Sequence, residues 1–310
     1  MVYKLWEGSW RDDSILSPGG PGSSYADPER VRQINHKGKY FTVPGPHICE
    51  PSPQRTPFIF QAGTSKAGKA FAAKHAEAIF LGGHTPELVR KSVDDIRKQA
   101  TEQGRDGRSL KLIAAVLVIV AETDEAAQTK FQDLVRYGNR EGALALFGGF
   151  SGYDLNKYSD DQDVRFGDEP AVQTLVNNWA ATVPGSENLK WNKKTIADYL
   201  IVGGMGVKII GSVNTVADEI ERWAEVADVD GFNFKFATMP GTFDDIVELL
   251  VPELRRRGRF WDDYEVVGGT IRETLTGLPG NSRLPADHPG ARYAWKVGEE
   301  VPSYAKEVLK

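Results

Sequence analysis

The stretch Pro53-Gln-Arg-Thr-Pro-Phe-Ile-Phe-Gln-Ala-Gly-Thr-Ser-Lys-Ala-Gly68 decides the fold. Residues 57–61 form an apolar run fit for a buried strand, small residues follow, and 66–77 is rich in Ala and Lys and reads as a helix. A strand ending in Ala-Gly-Thr-Ser at a helix start aims free backbone N–H groups and two hydroxyls at one point. The partial positive charge there suits a phosphate. The same residues also fit an ordinary strand-to-helix turn in which Thr64 or Ser65 only caps the helix.

Outward from this stretch, strand and helix alternate. Residues 77–82 hold the short apolar run Ala-Ile-Phe-Leu, closed by Gly82-Gly83. Thr85-Pro-Glu87 then supplies a capping hydroxyl, a Pro at the first helical position and an acid in the first turn. Leu88, Val89, Val93 and Ile96 give this helix one apolar face. Residues 110–121 are almost continuously apolar, as in a parallel strand covered by helices on both faces, and Asp124 opens the next helix. Helical stretches at 140–147, 169–183 and 193–202 surround a loop at 148–158. The last unit is helix 214–227, strand 231–236 and helix 242–257. Before the deciding stretch, 2–10 reads as the end of a helix. Residues 11–56 are rich in Gly, Pro and Ser, with a short helix at 27–34 and a strand at 39–43. The alternation points to α/β with parallel strands.

Composition narrows the function. Hydrophobic residues make up 40% and charged residues 26%, the usage of a globular chain with a core. The net charge is −5 with basic and acidic residues interspersed, which argues against a nucleic-acid or anionic-membrane surface. A single cysteine, Cys49, excludes an internal disulfide and is expected to pack as a small apolar group. No apolar run is long enough to span a bilayer, and the first residues lack a signal or transit pattern, so a cytoplasmic location is expected.

Other motifs carry less. Val202-Gly-Gly-Met-Gly-Val-Lys-Ile-Ile-Gly211 does not follow a clear strand and open a helix, so it is read as a loop leading into a strand rather than a dinucleotide site. Histidines 36, 47, 75, 84 and 288 have no metal-ligand spacing. Arg255-Arg-Arg-Gly-Arg259 is a basic run where cations offset a helix dipole. Asp12, Asp13, Asp160 and Asp161 are loop acids with no partner visible in the sequence.

The run Gln61-Ala-Gly-Thr-Ser-Lys-Ala-Gly68, followed by Phe71-Ala-Ala-Lys-His-Ala-Glu-Ala-Ile-Phe80, resembles the fifth strand and helix of flavin-dependent monooxygenases of the bacterial-luciferase superfamily. More narrowly it resembles the branch holding nitrilotriacetate, dibenzothiophene-sulfone and dimethyl-sulfide monooxygenases. Tyr3-Lys-Leu-Trp-Glu-Gly-Ser-Trp10, His36-Lys-Gly-Lys-Tyr-Phe-Thr-Val-Pro-Gly-Pro46, Ser151-Gly-Tyr-Asp-Leu155, Val229-Asp-Gly-Phe-Asn233 and Leu284-Pro-Ala-Asp-His-Pro-Gly-Ala-Arg-Tyr293 agree with that branch in order.

The resemblance implies a partial (β/α)8 TIM barrel, about the last four strand–helix units, because family members carry about four more before the Tyr3–Trp10 counterpart. The chain is then one domain over 1–310, with a connecting excursion at 11–56 and a helical insertion at 138–210. It implies reduced FMN as co-substrate, supplied by a separate NAD(P)H:flavin reductase, and oxygenation of a small sulfur-, nitrogen- or carbon-centred molecule by oxygen. Gly63, Thr64 and Ser65 would hold the FMN phosphate, Ala62 would also contact the cofactor, and Gln61 and Phe60 would lie on the floor beside the flavin. Phe150, Tyr153 and Tyr158 would form a substrate lid, or simply anchor the insertion. The family's contacts at the reactive edge of the flavin come largely from the first four strands, so no catalytic residue is assigned. A half barrel leaves sheet edges unpaired, and a homo-oligomer or a complementing half-barrel chain would cover them. The alternatives are an inactive relic that binds a phosphate ligand or a partner protein, and a longer product whose start lies upstream.

Overall fold

The computed structural model describes residues 1–16, 23–63, 65–182 and 189–308, without the side chains of 181–182 and 306–308. Helix α1 (Val2–Gly8) leads into the antiparallel pair β1 (His36–Lys37) and β2 (Thr42–Val43). Then come β3 (Phe60–Ala62), α2 (Lys66–His75), β4 (Ala78–Leu81), α3 (Pro86–Glu102), β5 (Lys111–Ala121) and α4 (Asp124–Arg136). Helices α5 (Arg140–Ser151), α6 (Pro170–Thr182) and α7 (Lys193–Ile201) precede β6 (Val207–Ser212), α8 (Val213–Ala227) and β7 (Gly231–Lys235). The last long helix runs as α9 (Gly241–Asp245), a π turn (Ile246–Leu250) and α10 (Val251–Arg256). Pro252 accounts for that turn: it lacks an N–H and its ring crowds the carbonyl four residues back, so the ladder widens there. Two short helices, α11 (Ile271–Thr276) and α12 (Ser303–Val308), close the chain.

All strand pairs in the main sheet are parallel. Ile113 and Ala114 of β5 pair with both β4 and β7, so those two strands lie on opposite edges of β5. Val116 and Leu117 pair with both β6 and β7, which places β6 on the β4 edge, taking over where β4 ends. Residues just beyond β4 are thereby brought beside the start of β6. Among the described residues β3 and β7 are each paired on one edge only.

The two sheet faces differ. Leu112, Ala114, Val116, Val118 and Val120 of β5 pack with Ala72, Ala73, Val89, Val93, Ile96, Val216, Ile220 and Trp223 in the largest core. Full burial of each Val, Leu or Ile there contributes roughly 1.5–3 kcal/mol. Helix α3 joins through Val89, Val93, Ile96 and Ala100, whereas Leu88 is 38% exposed. The sequence placed Leu88 on the apolar face; it sits one residue off the 3–4 spacing that the others keep. The opposite sheet face buries Leu117 and Ile119 against Val202, Phe131 and Leu134 at one end. At the other end Phe60, 40% exposed, stacks on Phe80 with 5.2 Å between ring centroids. A third cluster, with Phe147, Trp179, Trp191 and Tyr199, is the core of the helical segment between β5 and β6.

Several boundaries move from the sequence reading. The strand expected at 57–61 is the three residues of β3, and the helix expected at 27–34 contracts to the 3-10 turn Pro28–Arg30, begun by Pro28 and stopped by extended Val31. Part of the expected 148–158 loop continues α5 to Ser151, where Gly152 turns left-handed at φ 76° and caps it.

The terminal segments lock together. Trp295 N–H donates to Glu7 O at 3.0 Å, and His75, His288, Tyr3 and Tyr293 pack in one ring cluster. The loop acids are not free. Asp12 accepts from Arg55 at 2.6 Å and Arg283 at 2.8 Å, Asp13 from Arg11 at 2.6 Å, and Asp160 pairs with Lys193 at 2.6 Å. Asp161 accepts from Ser159 Oγ at 3.0 Å. Cys49 is exposed rather than packed, because its turn 47–50 lies on the surface with His47 folded over it.

Candidate functional site

The turn after β3 forms at the carboxyl end of the parallel sheet. Ser65 is extended, at φ −61° and ψ 160°, and its Oγ accepts from Gly68 N–H at 3.1 Å, the geometry of an N-cap. The hydroxyl proton stays available to donate. Among the described residues no hydrogen bond engages the N–H groups of Lys66 or Ala67 in the first turn of α2. Gly63 has φ 108°, and a Cβ built there meets nothing within 4 Å, so its backbone faces open space. A Cβ at Gly68 would lie 2.8 Å from Gly63 O, so glycine at 68 lets the helix start close against the turn. Ala62 and Gly63 are exposed, and Gln61 Nε2 donates to Ala62 O at 2.7 Å. Thr64 lies outside the described residues.

The cradle therefore holds backbone donors, one hydroxyl and a helix N-terminus, with no carboxylate among 61–68. That donor set fits a phosphate. The sequence named Gln61, Ala62, Gly63 and Ser65, and these four are contiguous on the surface. It missed Gly68, whose signal was a second glycine five residues after the first.

Of the three aromatics named for a lid, Tyr153 and Tyr158 belong to one cluster and Phe150 stands apart from it. Tyr158 is 4% exposed and packs in the core with Val164, Trp179 and Trp191, while Phe150 is 72% exposed. Tyr153 lines an open recess of about 520 Å³ with Glu141, Leu144, Gly148, Gly152 and Asn156. A Cβ at Gly167 would meet the Tyr158 ring at 2.5 Å, so that ring is walled in.

Beyond the end of β4, burial and then the neighbouring Lys208 charge push the His84 imidazole below its ordinary range. Among the described residues no group of His, Cys, Asp and Glu could hold a metal ion. The basic run at the end of α10 forms an ion-pair network in which Arg257 meets Glu253 at 2.7 Å and Asp218 at 2.6 Å, and Arg259 meets Glu221 at 2.9 Å.

A parallel sheet whose strands alternate with helices, with an anion-shaped turn at its carboxyl edge, defines a protein of the (β/α)8-barrel class, of which this chain forms part. Comparison with known proteins supplies the family. Residues 3–230 match the model described as luciferase-like monooxygenase, and the chain belongs to that family. It is 45% identical to the long-chain alkane monooxygenase of Geobacillus thermodenitrificans over 94% of this chain and 61% of that protein. It is 41% identical to the dimethyl-sulfide monooxygenase of Hyphomicrobium sulfonivorans over 94% and 60%. The solved structure of DmoA from Hyphomicrobium sulfonivorans superposes with TM-score 0.86, and that of riboflavin lyase RcaE with TM-score 0.75 at 35% identity, covering 94% of this chain and 62% of that one. The chain thus spans about three-fifths of the length of the curated relatives it matches.

Proposed function

We propose that this chain is part of a flavin-dependent monooxygenase that oxygenates a small organic molecule. Reduced FMN, delivered by a separate NAD(P)H:flavin reductase, is the co-substrate, and when bound it supplies the oxygen-activating chemistry. The observation that carries the reading is the turn itself, with Ser65 capping α2, Gly68 seated on Gly63 O and open backbone at Gly63. The donors of Gly63, Ser65, Lys66 and Ala67, with Thr64 between them, hold the phosphate, and Ala62 and Gln61 set the turn's approach. Family membership supports a flavin in this role. The riboflavin lyase relative, whose structure is described with modified FMN, favours FMN among the flavins.

The chain's residues bind and position. Phe60 and Phe80 offer an apolar floor on the sheet face opposite α2, α3 and α8, next to the turn. Tyr153 lines the open recess of the insertion, offered as the side where a substrate enters, Tyr158 supports it from the core beneath, and exposed Phe150 is left free to cover the substrate. On this reading residues 1–310 are one partial barrel, 11–56 a connection and 138–210 an insertion that shapes the substrate side. No described helix is long and apolar enough to cross a membrane, and a cytoplasmic location suits the supply of reduced flavin. Neither the fold nor the comparisons favour an inactive relic.

The relatives' names supply the first substrates to try, a long-chain alkane and dimethyl sulfide. The chain, given reduced FMN by a reductase under isotopically heavy oxygen, is expected to place the label in at least one product. Label in neither product, with flavin saturating, contradicts the proposal for this chain.

A further inference from the structure

The loop before β6 has a second role in the fold. Gly203 and Gly204 both adopt left-handed conformations, with φ 77° and 67°, which curls their carbonyls back on the chain. Lys208, the one charged residue in the strand Val207–Ser212, is what they curl around. Its Nζ donates to Gly204 O at 2.7 Å and to Gly206 O at 3.4 Å, and lies 3.5 Å from the centre of the Tyr199 ring. Tyr199 in turn donates its hydroxyl to Gly206 O at 3.3 Å. A second ammonium reaches the same spot from the other edge of β5. Lys208 and Lys235 both pair with Leu117, and Lys235 Nζ lies 2.7 Å from where a Gly206 Cβ would stand. Among the described residues the Lys235 side chain shows no hydrogen bond, and neither lysine has an ion-pair partner. His84, brought here because β6 takes over from β4, keeps a buried Nδ1 with no partner among the described residues.

Two cations and an imidazole in one place, walled by Tyr199 and Trp179 and without a counter-charge, are electrostatically incomplete. Burial and the Lys235 charge push the Lys208 ammonium down to about 7, the direction expected where an opposite charge is wanting. We propose that Lys235, Lys208 and His84 form a subsite for an oxyanion, the carboxylate or phosphoryl end of a small molecule, beside Leu117 of β5, where β4 and β7 end and β6 begins. Lys235 donates to the oxyanion directly, Lys208 supplies a second ammonium that the anion's charge keeps protonated, and His84 gives a further donor. The site is separate from the turn after β3, and its binding of an anion does not require the flavin reading.

The test is calorimetric titration of inorganic phosphate, and separately of acetate, into the Ser65→Ala protein, in which the turn is weakened. Saturable binding is expected, weakened tenfold or more by adding Lys235→Met or Lys208→Met and unchanged by adding Lys194→Met, an exposed lysine of α7. Binding of phosphate alone marks a phosphoryl ligand, and binding of both marks any small oxyanion. If Lys208→Met fails to fold, Lys235→Met carries the test. No saturable binding of either anion, or binding indifferent to both lysines, overturns the proposal. Phosphate binding seen only while Ser65 is intact also overturns it and leaves the flavin turn standing.

Discussion

Arg272 and Glu77, 195 residues apart, form a buried two-point ion pair, Nε to Oε1 at 2.6 Å and Nη2 to Oε2 at 2.9 Å, with side chains 2% and 6% exposed. Arg272 also donates to Thr56 O at 2.9 Å, while Glu77 Oε2 accepts from Ile59 N–H at 3.1 Å. The pair therefore fastens the C-terminal segment to the start of β4 and to the approach to β3.

Breaking one side of this pair leaves a charge buried without compensation. Arg272→Met is expected to cost about 3–5 kcal/mol in urea unfolding. The double variant Arg272→Met with Glu77→Leu should recover a good part of that loss. A double variant as unstable as the single one would show that the backbone hydrogen bonds of Arg272 matter more than its charge.

The aromatic core of the insertion should matter for stability as much as the sheet core. Trp179 is fully buried against Phe147, Trp191 and Tyr199. Trp179→Ala is expected to lose about 3–5 kcal/mol, comparable to large-to-small changes in any packed core. A loss below about 1 kcal/mol would mean that the insertion's packing adds little.

His288 makes stability depend on acidity. Its Nδ1 accepts from Gly290 N–H at 3.0 Å and its Nε2 donates to His75 O at 2.9 Å, which fixes the neutral ring. Burial lowers its proton affinity, and it does the same to His75. A base whose affinity falls on folding contributes stability above its ordinary midpoint near 6.5 and loses it as the pH drops below that value. The melting temperature should therefore decline from about pH 6.5 downward, and His288→Asn should flatten the decline.

Glu7 acts in the opposite direction. Burial raises its carboxyl above the usual range, against the hydrogen bonds from Thr56 N–H and its hydroxyl. An acid with raised affinity favours the fold at low pH and loses that contribution as the pH rises through its folded midpoint. Glu7→Gln should then gain stability relative to the parent as the pH is raised from 4 toward neutrality, measured by urea unfolding at each pH. A constant difference across that range would contradict the burial argument.

What the sequence disclosed follows from the range of the interactions. The strand Lys111–Ala121 and the start Thr85-Pro86-Glu87 were readable because continuous apolarity and capping are local signals. So was the turn after β3, whose Ser65 cap and Gly63 conformation are spelled within a few residues. The partners of Asp12 and Glu77 were not readable, since Arg283 and Arg272 come from the far end of the chain. Tyr158 looked like a loop aromatic because nothing nearby tells that Trp179 and Trp191 close over it. Lys208 did leave a mark, a charge inside an apolar strand, but its meaning depends on Gly204, Lys235 and His84 meeting in space.

The central claim is that the turn after β3 holds the phosphate of reduced FMN. Anaerobic titration of the 310-residue chain with reduced FMN, beside Ser65→Ala, tests it most directly. Saturable binding is predicted, with the variant weakened roughly tenfold or more, the loss of one hydrogen bond to a charged group. Lys235→Met should bind as the parent does. No saturable binding, or equal affinity with and without the Ser65 hydroxyl, would contradict the account.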